Sequence, residues 1–331
     1  MFLSDSPIIN CFKFLQNCHI RYPDIKHIAD TLTGPAISKF TLTTMASFTP
    51  TSWADGPFPL IPTPFGGRDV SNEHGSHLLA QQMSLLHNCI LRVLNAIYNQ
   101  APHVKSKKDV KAFLQLAKLW HDELVQHHQV EEQFFFPKIE EITGVMNFMA
   151  QSVDQHQSFA TGVAALFNYS IMTSINDYRA TDLQNIIHSF GENLQTHLHD
   201  EIHALLSLEK YNSTALCKAW EDTHQYVLKT CDNKVQLPML LGSMDRTYGL
   251  TPSSNGVAPT LEISWYMYYL VEYWFSRKYK ASWKFLPCNT WGMPRDLPAM
   301  AMKEEEKEGS EKGSLRRFMV VRKKDSLVSE V

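Results

Sequence analysis

His127-His128-Gln129-Val130-Glu131-Glu132-Gln133-Phe134-Phe135-Phe136-Pro137 is the stretch on which the fold turns. Four residues advance an α-helix by roughly 400°, so His127 and Glu131 project from one face, one turn apart. The rest of that face is apolar. Read backwards from His127 at intervals of three and four, it runs through Leu124, Trp120, Ala117, Phe113 and Val110; forwards it reaches Phe134. This is the seam of a helix packed in a bundle, and it closes near Pro137.

Three other segments carry the same spacing. One runs Met83, His87, Ile90, Leu94, Ile97 and ends near Pro102. Another, after a loop with Gly144, runs Met146, Met149, Val153, His156, Ala160, Val163, Phe167. The last runs Leu183, Ile187, Phe190, Leu194, His197, Glu201, Leu205, Leu208. Every seam is interrupted by a histidine, and on alternate helices also by a glutamate four residues later. A lone histidine on an apolar face is ordinarily a satisfied core residue, and one His-x-x-x-Glu pair is ordinarily a surface contact. Their coincidence on four helices points elsewhere. Buried carboxylates are costly unless paired or bound to a cation, so His87, His127, Glu131, His156, His197 and Glu201 are candidate ligands of a dinuclear metal site. Imidazole and carboxylate donors without thiolate suit iron, with manganese as the alternative. A structural zinc site would more commonly use cysteine.

His128 and Glu132 repeat the spacing about 100° further round the helix. They are candidates for an extra ligand or for a hydrogen bond behind one. His199 and His203 point away from their seam and are expected at the surface, with His121 at the rim. His74 and His77 precede the regular part of the first helix. No residue stands out as a catalytic acid, base or nucleophile.

Proline sets the boundaries. Residues 1–64 hold eight prolines and residues 238–331 six, whereas the 173 residues from Phe65 to Leu237 hold only Pro102 and Pro137. The organisation expected is an irregular, proline-rich leader over 1–69, a four-helix bundle over 70–210, a helical, aromatic-rich extension over 211–302, and a charged, disordered tail over 303–331. Residues 1–44 lack any sustained period and read as a disordered arm or an over-extended start. A fifth helix, capped by Ser213 or Thr214, carries Leu216, Trp220 and Val227. Ten of the 21 residues from Trp265 to Phe285 are aromatic; they suit a helix packed over the bundle, an apolar mouth that selects an organic substrate, or a segment at a membrane interface.

Composition excludes several classes. A net charge of −3 is not the basic footprint of a nucleic-acid binder. Six scattered cysteines without a C-x-x-C pair argue against a disulfide framework. No secretory signal or membrane-spanning run is evident, so the expected location is the cytoplasm. Phosphate loops, nucleophile elbows and dinucleotide fingerprints are absent.

The stretch from His127 to Pro137 resembles the H-x-x-x-E-E…F-P signature of hemerythrin-like (HHE cation-binding) domains. His197-Leu198-His199-Asp200-Glu201 is similar to the second copy of that motif, and Leu86-His87-Asn88 and Gln155-His156-Gln157 to its lone-histidine positions. The flanks Trp53 to Leu60 and Tyr273 to Tyr279 look like extensions of fungal members. The resemblance covers residues 70–210 and implies an all-α, up-and-down four-helix bundle with a non-haem diiron centre. It casts Glu131 and Glu201 as bridges and the four seam histidines as terminal ligands. Two departures from the oxygen carriers of the family matter. Ala160 stands where they have a second histidine, and Glu201 lies four residues after His197 where they have an aspartate five after. The missing imidazole implies an exchangeable metal position, unless Glu132 or another side chain fills it.

The expectation for function is binding or activation of dioxygen, as an oxidoreductase on a small organic substrate in a fungal biosynthetic pathway. The alternative is a non-catalytic iron or oxygen sensor, or a metal store, signalling through a partner. The histidines must be neutral to hold metal, so metal affinity should fall as pH drops through their titration range.

Overall fold

The computed structural model describes residues 53–67, 69–70, 72–248 and 263–297. Residues 1–44 and the tail 303–331 lie outside them. Four long helices are joined by short connections: α1 (Gly75–Gln100), α2 (Lys107–Val130), α4 (Ala150–Met172) and α5 (Ala180–Leu206). A five-residue π-helical turn (Glu131–Phe135) joins α2 to the short α3 (Phe136–Thr143). Each long helix packs on two others, in the cyclic order α1, α2, α4, α5. This is the expected up-and-down bundle. No strand occurs among the described residues, only an isolated bridge between Cys288 and Pro294.

The helices begin where side chains can satisfy their free N–H groups. Ser106 caps α2 by accepting from the Asp109 N–H at 3.1 Å. The fifth predicted helix is α6 (Ser213–Thr230); Asn212, one residue before the expected cap, accepts from the Ala215 N–H at 3.0 Å. Beyond it come α7 (Asn233–Ser243), packed on α1, then α8 (Trp265–Tyr273), packed on α7, and α9 (Lys280–Trp283), which reaches α2.

The core follows three of the four predicted seams closely. All eight residues predicted for α5 are buried, Leu183 to Leu208. In α4 the register differs. The inward residues are Ser152, His156, Phe159, Val163, Leu166 and Ser170, while Met146 is 85% exposed and Ala160 is exposed. Residues 144–149 form a loop with Gly144 and Asn147 in left-handed backbone, so Met146 precedes the helix. The seam drawn through it therefore started out of register.

The leader from Trp53 to Ile61 is laid along α1 by three asparagines. Asn95 donates to the carbonyls of Ala54 (2.9 Å) and Phe58 (2.8 Å) and accepts from the Phe58 N–H (3.0 Å). Asn88 pairs both ways with Ile61, and Asn99 holds the carbonyls of Trp53 and Gly56. Buried Arg92 donates to Asp55 at 3.1 Å. Opposite, Gly191 on α5 leaves room for the Phe58 ring; a Cβ there would lie 2.2 Å from Phe58 Cζ.

The aromatic run divides in two. Trp283 and Phe285 enter the main core, where Phe285 meets Phe113 at a ring separation of 5.1 Å. Trp265 and Tyr273 on α8 are mostly exposed and rest beyond α7. No helix among the described residues is long and apolar enough to cross a membrane.

On the flank of α2, half-buried Glu123 lies in the field of Asp122 and Asp232, and desolvation first, then those charges, push its carboxyl up to about 7. A raised carboxyl stabilises the fold least when ionised. Stability is full below the unfolded value near 4.5 and is lost as pH rises through about 7. Glu123→Gln should thus raise the denaturation free energy at pH 8 by about 1–2 kcal/mol, with solvent screening discounted, and leave it unchanged at pH 4. Urea melts at the two pH values check this.

Candidate metal centre

The six seam residues converge inside the bundle. His87 comes from α1, His127 from the last turn of α2, Glu131 from the start of the π turn, His156 from α4, and His197 and Glu201 from α5. His87, His197 and Glu201 are fully buried. The π turn lies directly before Pro137 in the sequence. Pro137 has no N–H for the Gln133 carbonyl, and its ring crowds that oxygen, so the α-helical bond there cannot form. The Phe136 N–H instead donates to the Glu131 carbonyl, a five-residue step. The widened turn shifts the aromatic register. Phe135 and Phe136 turn into the core, while Phe134, predicted on the seam, stacks on Tyr226 at 4.6 Å.

The imidazoles meet in pairs. His87 Nε2 lies 3.2 Å from His127 Nε2, and His156 Nε2 lies 3.1 Å from His197 Nε2. Two imidazoles bound to one ion at roughly 2.1 Å, at right angles, place their nitrogens about 3.0 Å apart. Each glutamate spans the two pairs. Glu131 Oε1 is 2.9 Å from His127 Nε2, and its Oε2 is 3.7 Å from His156 Nε2. Glu201 Oε2 is 3.7 Å from both His87 Nε2 and His197 Nε2.

Hydrogen bonds behind the rings decide which nitrogen faces inward. His87 Nδ1 donates to the Leu198 carbonyl (2.9 Å), and His156 Nδ1 donates to Glu132 Oε1 (2.6 Å). His197 Nδ1 faces the Gln155 amide oxygen at 3.3 Å, and the same amide is oriented by its donation to Asp200 (2.7 Å). With Nδ1 carrying the proton, Nε2 presents a lone pair. His156 and His197 then point two lone pairs at each other across 3.1 Å. A cation between them resolves that repulsion; a proton would do so only by charging a buried ring.

Burial opposes the proton. It is the chief cause that lowers the pKa of His87, His127 and His156, and that takes His197 to about 2, aided there by His156 and His127. Burial likewise pushes the Glu131 and Glu201 carboxyls well above the usual range, reinforced by Glu132 and by Glu131 respectively. All four oxygens of these two glutamates are buried without a hydrogen-bond partner. Orphaned acceptors of this kind are rare unless something else satisfies them. The arrangement fits metal ions, and the donor set of nitrogen and carboxylate oxygen fits iron or manganese.

The remaining histidines sort by position. His128, predicted one step off the seam, is buried and stacks on His156 at 3.9 Å. Glu132 stands behind His156 rather than among the inward donors. His203 is exposed as expected, but His199 is half covered and its Nε2 lies 3.3 Å from the Pro59 carbonyl. His74 caps α1 by accepting from the Ser76 N–H, and His77 pairs with Glu73. His121 is half-buried beside Asp122. Gln155 was not singled out from the sequence; its place beside His156 was the available signal.

Two cavities adjoin the centre. One of 370 Å³ is lined by Glu132, Phe136, Met149, Val153 and Asp154, and one of 220 Å³ by Ser152, Gln155, Asp200 and His203. Each touches a residue that holds a candidate ligand. The aromatic run from Trp265 lines neither of these two cavities.

The model of the hemerythrin HHE cation-binding domain matches residues 79–209. Over 262 residues the chain is 33% identical to dimeric xanthone biosynthesis cluster protein R11 of Cryptosporiopsis sp. (strain 8999), spanning 79% of this chain and 98% of that protein. No solved structure matches. With a helical bundle, a buried His/Glu cluster able to hold a metal, and a fungal relative aligned over nearly its whole length, the chain belongs to the hemerythrin-like, HHE cation-binding family.

Proposed function

We propose that the protein holds two iron ions bridged by Glu131 and Glu201, with His87, His127, His156 and His197 as terminal ligands, and that it binds or activates dioxygen. The observation that carries this reading is the pair of glutamates, each spanning two imidazole pairs with all its oxygens buried and otherwise unpartnered. Bound iron would supply Lewis acidity and one-electron redox chemistry there. The chain's own part is to hold the inward nitrogens of His87, His156 and His197 unprotonated through the Leu198, Glu132 and Gln155 hydrogen bonds, and to exclude bulk water.

The reading extends to an oxidoreductase acting on an organic substrate in a fungal biosynthetic pathway. Two observations support it. The cluster name of the relative concerns xanthone biosynthesis, and the 370 Å³ cavity sets Phe136, Met149 and Val153 against Glu132, one hydrogen bond from His156. The test is stopped-flow measurement of oxygen uptake by anaerobically iron-loaded protein, with and without xanthones. Uptake that scales with an added xanthone is the expected result. Uptake indifferent to every organic addition would favour a sensor or store, and protein that takes up no iron would end the reading.

A further inference from the structure

We propose that the 370 Å³ cavity beside Glu132 takes a flat, uncharged aromatic ligand bearing hydroxyl groups, one of which Glu132 holds with the oxygen it does not give to His156. This deepens the organic-substrate reading above and rests on it. The cavity lies between α3 and the first turns of α4. Its apolar wall is Phe136, Met149 and Val153, the first two only 3% and 2% exposed. The Phe136 ring runs nearly parallel to that of His156, at 20° and 6.3 Å between centroids, so this wall abuts a candidate metal ligand. A volume of 370 Å³ falls within the range of about 300–1,000 Å³ that small-molecule sites occupy.

The polar groups of the wall set the chemistry of the ligand. Glu132, Glu140 and Asp154 supply carboxylates, Asn147 is the one lining side chain with a donor, and no Lys, Arg or His lines the cavity. A carboxylate only accepts, so a ligand seated here must donate, and an anionic ligand would meet like charge. Glu132 accepts from His156 Nδ1 at 2.6 Å through Oε1, while its Oε2 has no hydrogen-bond partner among the described residues. A hydroxyl donating to Oε2 would be joined to His156 through one side chain, by two charge-assisted hydrogen bonds. A metal ion is the other occupant that carboxylates attract, but it needs converging donors. The groups of side chains close enough to share an ion include none of Glu132, Glu140 and Asp154 among the described residues. An organic cation would satisfy the same acceptors; the hydroxyl is the better match because the Glu132 charge is already shared with the His156 N–H.

The test is equilibrium binding to the full chain, metal-free and anaerobically iron-loaded, read by ligand fluorescence. Four planar tricyclic probes are compared: unsubstituted xanthone, a monohydroxyxanthone, the xanthone carboxylic acid substituted at the same carbon, and the aminoacridine cation. The hydroxyxanthone should bind about tenfold tighter than xanthone, and the carboxylic acid more weakly than either. This comparison needs no variant. Glu132→Gln keeps an oxygen for His156 but puts an amide donor in place of the free acceptor, so it should erase the hydroxyl preference and narrow the penalty on the carboxylic acid. His203→Ala, on the other cavity, should change neither. Equal binding of xanthone and hydroxyxanthone, tighter binding of the aminoacridine, or an unchanged preference in Glu132→Gln would each overturn the proposal. If oxygen uptake by the iron-loaded protein still responded to xanthones, the proposed function would survive that failure. Conversely, a hydroxyl preference in protein that takes up no iron would support the cavity assignment while the iron reading fell.

Discussion

Glu131→Leu is expected to bind no iron at either position and yet to be at least as stable as wild type when both are metal-free. The two halves of the result have one cause. Glu131 faces His127 with one oxygen and His156 with the other, so its loss is felt by both ions. Removing one partner from a buried charged pair costs about 3–5 kcal/mol, equivalent to a hundred- to several-thousand-fold in affinity at each position. Without metal, the same carboxyl is buried with no hydrogen bond to either oxygen, His127 Nε2 lying 2.9 Å from Oε1. An apolar side chain of similar size is then neutral or stabilising by about 1–3 kcal/mol. Metal analysis reads the first half and chemical denaturation of the chelated proteins reads the second. A metal-free Glu131→Leu protein less stable than wild type by several kcal/mol would mean that the carboxyl serves the fold, and the metal argument would lose its main support.

Removal of metal from the wild type should lower its melting temperature by about 10 °C or more. An ion present at a thousand times its dissociation constant stabilises the folded state by about 4 kcal/mol, and in a domain of this size 1 kcal/mol moves the midpoint by about 2–4 °C. The difference should widen with rising pH. In the metal-free protein the Glu131 and Glu201 carboxyls are raised, chiefly by burial. Their contribution to stability is therefore full below the unfolded value near 4.5 and is lost as pH rises above it. Bound cations need the ionised form and reverse that loss. Towards acid, the raised Glu131 and Glu201 carboxyls of the folded protein keep protons that metal must displace, and the difference closes. Scanning calorimetry of loaded and chelated protein from pH 5 to 8 checks both size and sign. Equal midpoints at every pH would show that no ion occupies the centre.

The expectation from residue type was that histidine titration would govern metal affinity. The burial of His87 and His197, and the hydrogen bonds that fix their Nδ1 protons, leave the imidazoles ready for metal at neutral pH. The protons to be displaced sit on the two glutamates.

Helix period alone was enough to bring His87, His127, Glu131, His156, His197 and Glu201 together, because the direction of a side chain from a regular helix depends only on its number along the chain. It was also enough for the bundle itself and, to within a residue, for the start of α6, where a small polar residue precedes an apolar period. Period fails where the helix is not regular or where its start is misplaced. Met146 falls outside α4 because the left-handed residues Gly144 and Asn147 delay the start of the helix, and Phe134 leaves the seam at the π turn before Pro137. The fate of His128 depends on what α4 and α5 present opposite it, and no count along α2 contains that. The same holds for the aromatic run, whose composition suited a mouth but whose helix α8 rests on α7. Sequence determined the candidate donors and the scaffold. Tertiary structure decided which nitrogens of His87, His156 and His197 face inward, how each glutamate lies between the imidazole pairs, and where the His128 ring packs, because those depend on contacts between helices.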